Sequence, residues 1–168
     1  MSATVTLRRR VPWGDIDAST VRDLYDDHAA LLDAGDFDGW LELFTDEATY
    51  SAVARENVER GLDLATMRCD SRAMLADRLD AVVNTQFFAR RMTRRFVGSV
   101  RPVAAAAGTV TIHANFVVIE SLVEAPPFVA ATGVYDDVVV ATAEGLRFAR
   151  KVAVYDAPLI NTSLIVPL

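Results

Sequence analysis

Metal-binding and redox-active side chains are scarce in this chain of 168 residues, which has one cysteine, Cys69, and two histidines, His28 and His113. A lone cysteine excludes an internal disulfide framework and suits a reducing compartment. A metal held by protein side chains usually takes three or four His, Cys or carboxylate ligands, and an iron–sulfur cluster takes four cysteines or histidines. Positions 28, 69 and 113 supply three, without paired spacing. No apolar run reaches the length of a membrane span. The opening MSATVTLRRR has basic residues but no apolar stretch behind them, which argues against a secretory signal and for a cytoplasmic protein. A Gly-rich strand-to-helix turn, a phosphate loop and a G-x-S-x-G elbow are also missing. These absences still leave room for a pocket that works through one acid–base pair.

What is present favours one well-packed domain. Hydrophobic residues make up 52% of the chain, and a domain of this length buries roughly 70% of its unfolded surface. The net charge of -6 repels a phosphate backbone, so no nucleic-acid partner is expected. Charge is unevenly spread. Between Asp15 and Glu47 stand eleven acidic side chains and one basic one, Arg22, whereas Arg90, Arg91, Arg94, Arg95 and Arg101 crowd a later segment. The arginine run lacks the interleaved aromatics of a base-stacking platform. Each run is either a solvated face or one of two opposite surfaces that meet across subunits.

Residues 1–18, with Pro12 and Gly14 and no helical period, read as an N-terminal arm leading into a single domain over 19–168. Ser19 and Thr20 are good N-caps, after which Val21, Leu24, Tyr25, His28, Leu31 and Leu32 share one helical face. In LLDAGDFDGWLELFTDEATY (residues 31–50), Ala34 and Gly35 close that helix and Asp36 or Asp38 caps a short one with the stripe Phe37, Trp40, Leu41 and Phe44. Thr45-Asp46-Glu47 is then a polar break before a strand beginning at Ala48-Thr49-Tyr50. ARENVERG, ending at Gly61, reads as a polar loop, and residues 62–67 as a short second strand. A third helix runs from Ser71 to about Phe88, with Met74, Leu75, Leu79, Val82 and Val83 inward. Four long strands follow over Thr93–Val103, Thr109–Val123, Phe128–Thr142 and Leu146–Asp156. Their short connections predict an antiparallel meander, and helices first with strands later predict an α+β fold.

Four stretches carry a family resemblance: LLDAGDFDGWLELFTDEATYSAVARENVERG, SRAMLADRLDAVV, HANFVVIES and FARKVAVYDAPLINTSLIVPL. On these the chain resembles the small (β) subunit of bacterial aromatic-ring-hydroxylating dioxygenases, within the NTF2-like superfamily that includes ketosteroid isomerase and scytalone dehydratase. The resemblance implies a cone-shaped fold, a strongly curved antiparallel sheet packed against N-terminal helices. It also implies self-association as a trimer and assembly with a large (α) subunit as α3β3. In that family the large subunit carries the Rieske [2Fe-2S] cluster and the mononuclear iron and receives electrons from NAD(P)H through a reductase. The small subunit is generally structural, which implies no cofactor and no catalytic residue in this chain.

Candidate residues can be weighed beside that expectation. His28, on the apolar helical stripe, reads first as a hydrogen-bonded core histidine. Its functional alternative is a general base facing the cone interior, with Tyr25 and Tyr50 as companions, in a free-standing enzyme of dehydratase or isomerase type. A weaker option is a cavity that only binds an apolar small molecule. His113 is expected in a strand beside Asn115, and Asp156 to pair with Arg150, Lys151 or a backbone donor. Trp40 reads as a core or interface anchor and Arg94 and Arg95 as rim charges. The apolar tail, with Leu164 and Ile165, should dock on a neighbour or on its own domain.

Overall fold

The computed structural model describes residues 11–84, 91–157 and 164–168. Helix α1 spans Ala18–Ala34. Its cap is Asp17, one turn's edge earlier than the expected Ser19 or Thr20, because the Asp17 carboxylate accepts from the Ser19 and Thr20 N–H groups, each at 3.1 Å. Gly35 ends the helix as predicted, at φ 74°, a left-handed position that a side chain disfavours. The Gly35 and Asp36 N–H groups satisfy the Leu32 and Leu31 carbonyls at 3.2 and 2.9 Å. Asp36 then caps α2 (Phe37–Leu41), accepting from the Gly39 N–H at 3.0 Å.

Strand β1 runs Phe44–Ala54, so Phe44 belongs to the strand rather than to the α2 stripe. Thr45-Asp46-Glu47 is not a break before the strand but part of it. The register with the neighbouring strand shifts between Phe44 and Thr49, and such an irregularity carries polar residues outward while Phe44 stays in the core. ARENVERG holds a short helix, α3 (Arg55–Glu59), where a loop was expected; the Glu56–Arg60 pair, 2.7 Å apart at i,i+4, supports it. The second strand, β2, is Met67–Cys69 rather than 62–67, since Leu62 and Leu64 are exposed while Met67 and Cys69 alternate inward. Helix α4 is Arg72–Asn84, and the expected end near Phe88 lies outside the described residues. Leu75, Leu79 and Val82 face inward, but Met74 and Val83 are exposed: the i, i+4, i+7 series leaves each about 100° off the buried line.

The long strands are β3 (Arg91–Ala106), β4 (Thr109–Leu122), β5 (Phe128–Thr142) and β6 (Gly145–Tyr155). They form the predicted antiparallel meander. The complete sheet has the order β2-β1-β6-β5-β4-β3, and β1 lies parallel to β6, a pairing open to it because the helices and β3–β5 intervene in the chain. This one parallel pair departs from the all-antiparallel expectation; the α+β class holds. Register shifts in β3 at Gly98–Arg101 and Pro102–Ala104 bend the sheet around α1. Alternate residues of β4, from Val110 to Val118, are buried on the inner face with Val21, Leu24, Tyr25, His28 and Leu32 of α1. Trp13 and Ile16 pack on the same core, and Asp15 accepts from the Gly108 N–H at 3.2 Å.

Candidate functional site

The inner face of the sheet and the buried side of α1 enclose a polar cluster in an aromatic setting. His28, Tyr25, Tyr50, Tyr135, Asp137 and Lys151 have at most 1% of their surface exposed. Helical spacing brings Tyr25 and His28 to the inner side of α1, and strand alternation brings Tyr135 and Asp137 inward from β5 and Lys151 from β6. The Asp137 carboxylate receives three donors: the Tyr25 hydroxyl at 2.7 Å, the Lys151 ammonium at 2.9 Å and the Val152 N–H at 3.1 Å. The ammonium also lies 3.6 Å from the centre of the Tyr135 ring and 4.4 Å from that of Phe148. Burial pushes the Asp137 carboxyl up and the Lys151 ammonium down. Each partner opposes the shift of the other, and a carboxylate with three donors beside an ammonium over two rings is held as an ion pair.

His28 is sealed by its neighbours. Its Nδ1 accepts from the Trp40 indole N–H at 2.7 Å, so the proton is on Nε2, which faces the Tyr135 hydroxyl at 3.4 Å. Burial, and then the positive charges of Lys151 and Arg95, hold its pKa well below 6.5. The imidazole is therefore neutral, with its one lone pair already used. Tyr25 and Tyr135 are pushed well above 10.0, first by burial, and Tyr50 is raised by burial as well. The cluster fixes geometry: the Tyr25 hydroxyl is committed to Asp137 and the His28 lone pair to Trp40.

The structure thus brings His28 and Tyr25 together around Tyr135 and Asp137. Tyr50, at the edge of the cluster, bonds to none of these side chains and accepts the Leu168 N–H at 2.8 Å. Trp40 is fully buried against Phe44 and Tyr50, a core anchor. Arg95 does not present a charge outward: it is buried, with Nη1 2.5 Å from Asp33 and Nη2 donating to the Pro167 carbonyl at 2.8 Å. Arg94 is exposed. The described end of the tail, residues 164–168, docks on its own chain: Leu168 joins the core and Leu164 packs against it, its carbonyl accepting from Arg78 at 3.0 Å, and Ile165 is half-buried. Asp156 pairs with Arg55 Nε at 2.8 Å and with the Thr132 hydroxyl at 2.9 Å, not with Arg150 or Lys151, because Lys151 points inward and Arg150 reaches Asp136. The residues missed from sequence are Tyr135, Asp137 and Lys151; the available signal was a polar or charged side chain on the inward phase of β5 and β6.

The histidines and cysteine do not converge. His28 is inside, His113 is on the opposite face of the sheet 3.6 Å from Asp136, and Cys69 is buried in β2. Among the described residues no group of three or more His, Cys, Asp or Glu is placed to hold a metal ion, and no helix is long and apolar enough to cross a membrane. A cavity of about 460 Å³ lies between α1, α4, β3 and the tail, lined by Leu32, Phe37, Val82, Met92 and Ile165 among others.

An open curved sheet wrapped around a helix defines an NTF2-like α+β protein. A scytalone dehydratase-type structure from Novosphingobium aromaticivorans shares this fold at TM-score 0.66, with 15% identity over 89% of this chain and 91% of that one. The family is narrower: the model described as ring hydroxylating beta subunit matches residues 27–162, and the chain belongs to that family. It is 30% identical to the anthranilate 1,2-dioxygenase small subunit of Burkholderia cepacia, over 82% of this chain and 85% of that protein. A crystal structure assigned as the beta subunit of an aromatic-ring-hydroxylating dioxygenase from Novosphingobium aromaticivorans superposes at TM-score 0.82, with 29% identity over 89% of this chain and 95% of that one.

Proposed function

We propose that this chain is a non-catalytic structural subunit of a multi-component ring-hydroxylating dioxygenase, trimerising and holding three large subunits in register as α3β3. The Rieske [2Fe-2S] cluster and the mononuclear iron then belong to the large subunit, with NAD(P)H reducing them through a separate reductase. The donor set of this chain does not fit either centre, since both His28 nitrogens are engaged and His113 lies across the sheet. Residues 19–168 act as one domain, in the cytoplasm, where the lone Cys69 suits reducing conditions.

The observation that carries this reading is the saturation of the interior. In a free-standing dehydratase or isomerase on the same fold, His28 would have to exchange protons with a substrate, yet Trp40 occupies its lone pair and the ring is fully buried. Co-expression with a large subunit tests the proposal by mass and iron content. An iron-bearing hexamer supports it; a lone chain that turns over a small molecule, and loses that activity in a His28→Gln variant, overturns it.

A further inference from the structure

The outward residues of β3 to β6 are half-buried or exposed, and they are arranged in two zones. Across the strands runs a charged row: Arg101 beside His113, His113 beside Asp136, and Arg150 reaching Asp136 at 3.2 Å. One carboxylate serves this row, and Arg101 has no ion-pair partner among the described residues. Further along β4 the outward face turns apolar, with Phe96 beside Val117 and Val129 beside Ile119. Phe96 and Val129 are more than half exposed.

The solvent side of α1 has the complementary order. Asp23, Asp26 and Asp27 are exposed in its first half, and Ala30 and Ala34 are exposed in its second. These positions follow i, i+3, i+4, i+7 and i+11, one helical face. None of the three aspartates has an ion-pair partner among the described residues. From Asp23 to Ala34 the helix rises about 16 Å, and β4 from His113 to Ile119 spans about 20 Å. The acids can therefore meet the arginine row while the small alanines let the helix lie close to Phe96, Val117 and Ile119.

We infer that α1 of one copy docks on the outer sheet face of a second copy, with Asp23, Asp26 and Asp27 against Arg101 and Arg150. Two different surfaces of the chain meet, so the contact is head-to-tail and repeats until a ring closes. Isolated surface ion pairs contribute little; here the apolar zone supplies area and the charges fix register and orientation. The inference rests on the self-association proposed above and assigns the surfaces that make it.

Sedimentation of the full chain, alone, tests the contact. The helix variant Asp23→Arg/Asp27→Arg and the sheet variant Arg101→Glu/Arg150→Glu should each weaken self-association at least about tenfold, and a chain carrying all four should recover it. Should the sheet variant fail to fold, Arg101→Glu alone carries the same reading. Wild-type mass in both single-face variants, or a wild-type chain that stays monomeric, overturns the contact. Capture of the large subunit, measured on the same samples, decides the structural-subunit reading separately.

Discussion

Lys151 places an ammonium with no solvent exposure 2.9 Å from Asp137, and removing it would leave a buried carboxylate without its counter-charge. Lys151→Met should cost about 3–5 kcal/mol in urea unfolding, whereas Lys151→Met with Asp137→Leu should recover part of that loss. His28 gives a pH signature. Unfolded, it takes a proton near pH 6.5; folded, burial keeps it neutral until well below. In that interval the unfolded chain holds the additional proton, so stability falls as pH drops below 6.5, by up to about 1.4 kcal/mol per pH unit. A His28→Gln chain, which keeps an acceptor for Trp40, should lack this component; the difference between the two unfolding profiles from pH 7 downward measures it. Equal slopes would show that the imidazole takes up its proton over the same pH range folded as unfolded.

Gly133 sets the spacing of β5. A Cβ there would overlap the Val154 carbonyl oxygen and lie 2.8 Å from the Phe116 ring, so Gly133→Ala should destabilise by about 1–3 kcal/mol in thermal or urea unfolding. A Tm unchanged by this substitution would mean that β5 and β6 can separate freely at that point. Much of the scaffold is legible in the sequence because its signals are local: the Gly35 stop, the Asp36 cap, and the alternation of β4 and β5. The errors arise where one period hides another. Phe44 continues a helical spacing while sitting in a strand, and Met74 and Val83 are apolar but belong to the exposed side of α4. The core of the interior cluster was legible only in half. His28 and Tyr25 lie on an apolar stripe, but Asp137 and Lys151 make sense only as a pair, fourteen residues apart, on adjacent strands.

At the scale of the molecule, an obligate assembly with large subunits should bury roughly 2,000–5,000 Å² per major interface. Among the described residues of the arginine run, Arg94 is exposed and its neighbour Arg95 is buried. Arg94→Glu should leave unfolding within about 0.5 kcal/mol of wild type while weakening capture of the large subunit at low salt; equal capture at every ionic strength would remove Arg94 from the rim. By contrast, Arg95→Glu should fail at folding, since it would set a carboxylate against Asp33 and the Pro167 carbonyl. Of the two expected outcomes for the apolar tail, residues 164–168 show docking on their own domain, where they close over Tyr50 and Arg95.

The parallel pairing of β1 with β6 joins Ala54 to Tyr155, positions roughly a hundred residues apart, which is a slow contact to form. During synthesis β1 must wait for about a hundred further residues before its second edge is occupied, and any recognition that depends on the finished sheet waits with it. A partner that recognises the outer face of this sheet therefore meets a strand order that is complete only once β6 has added to β1.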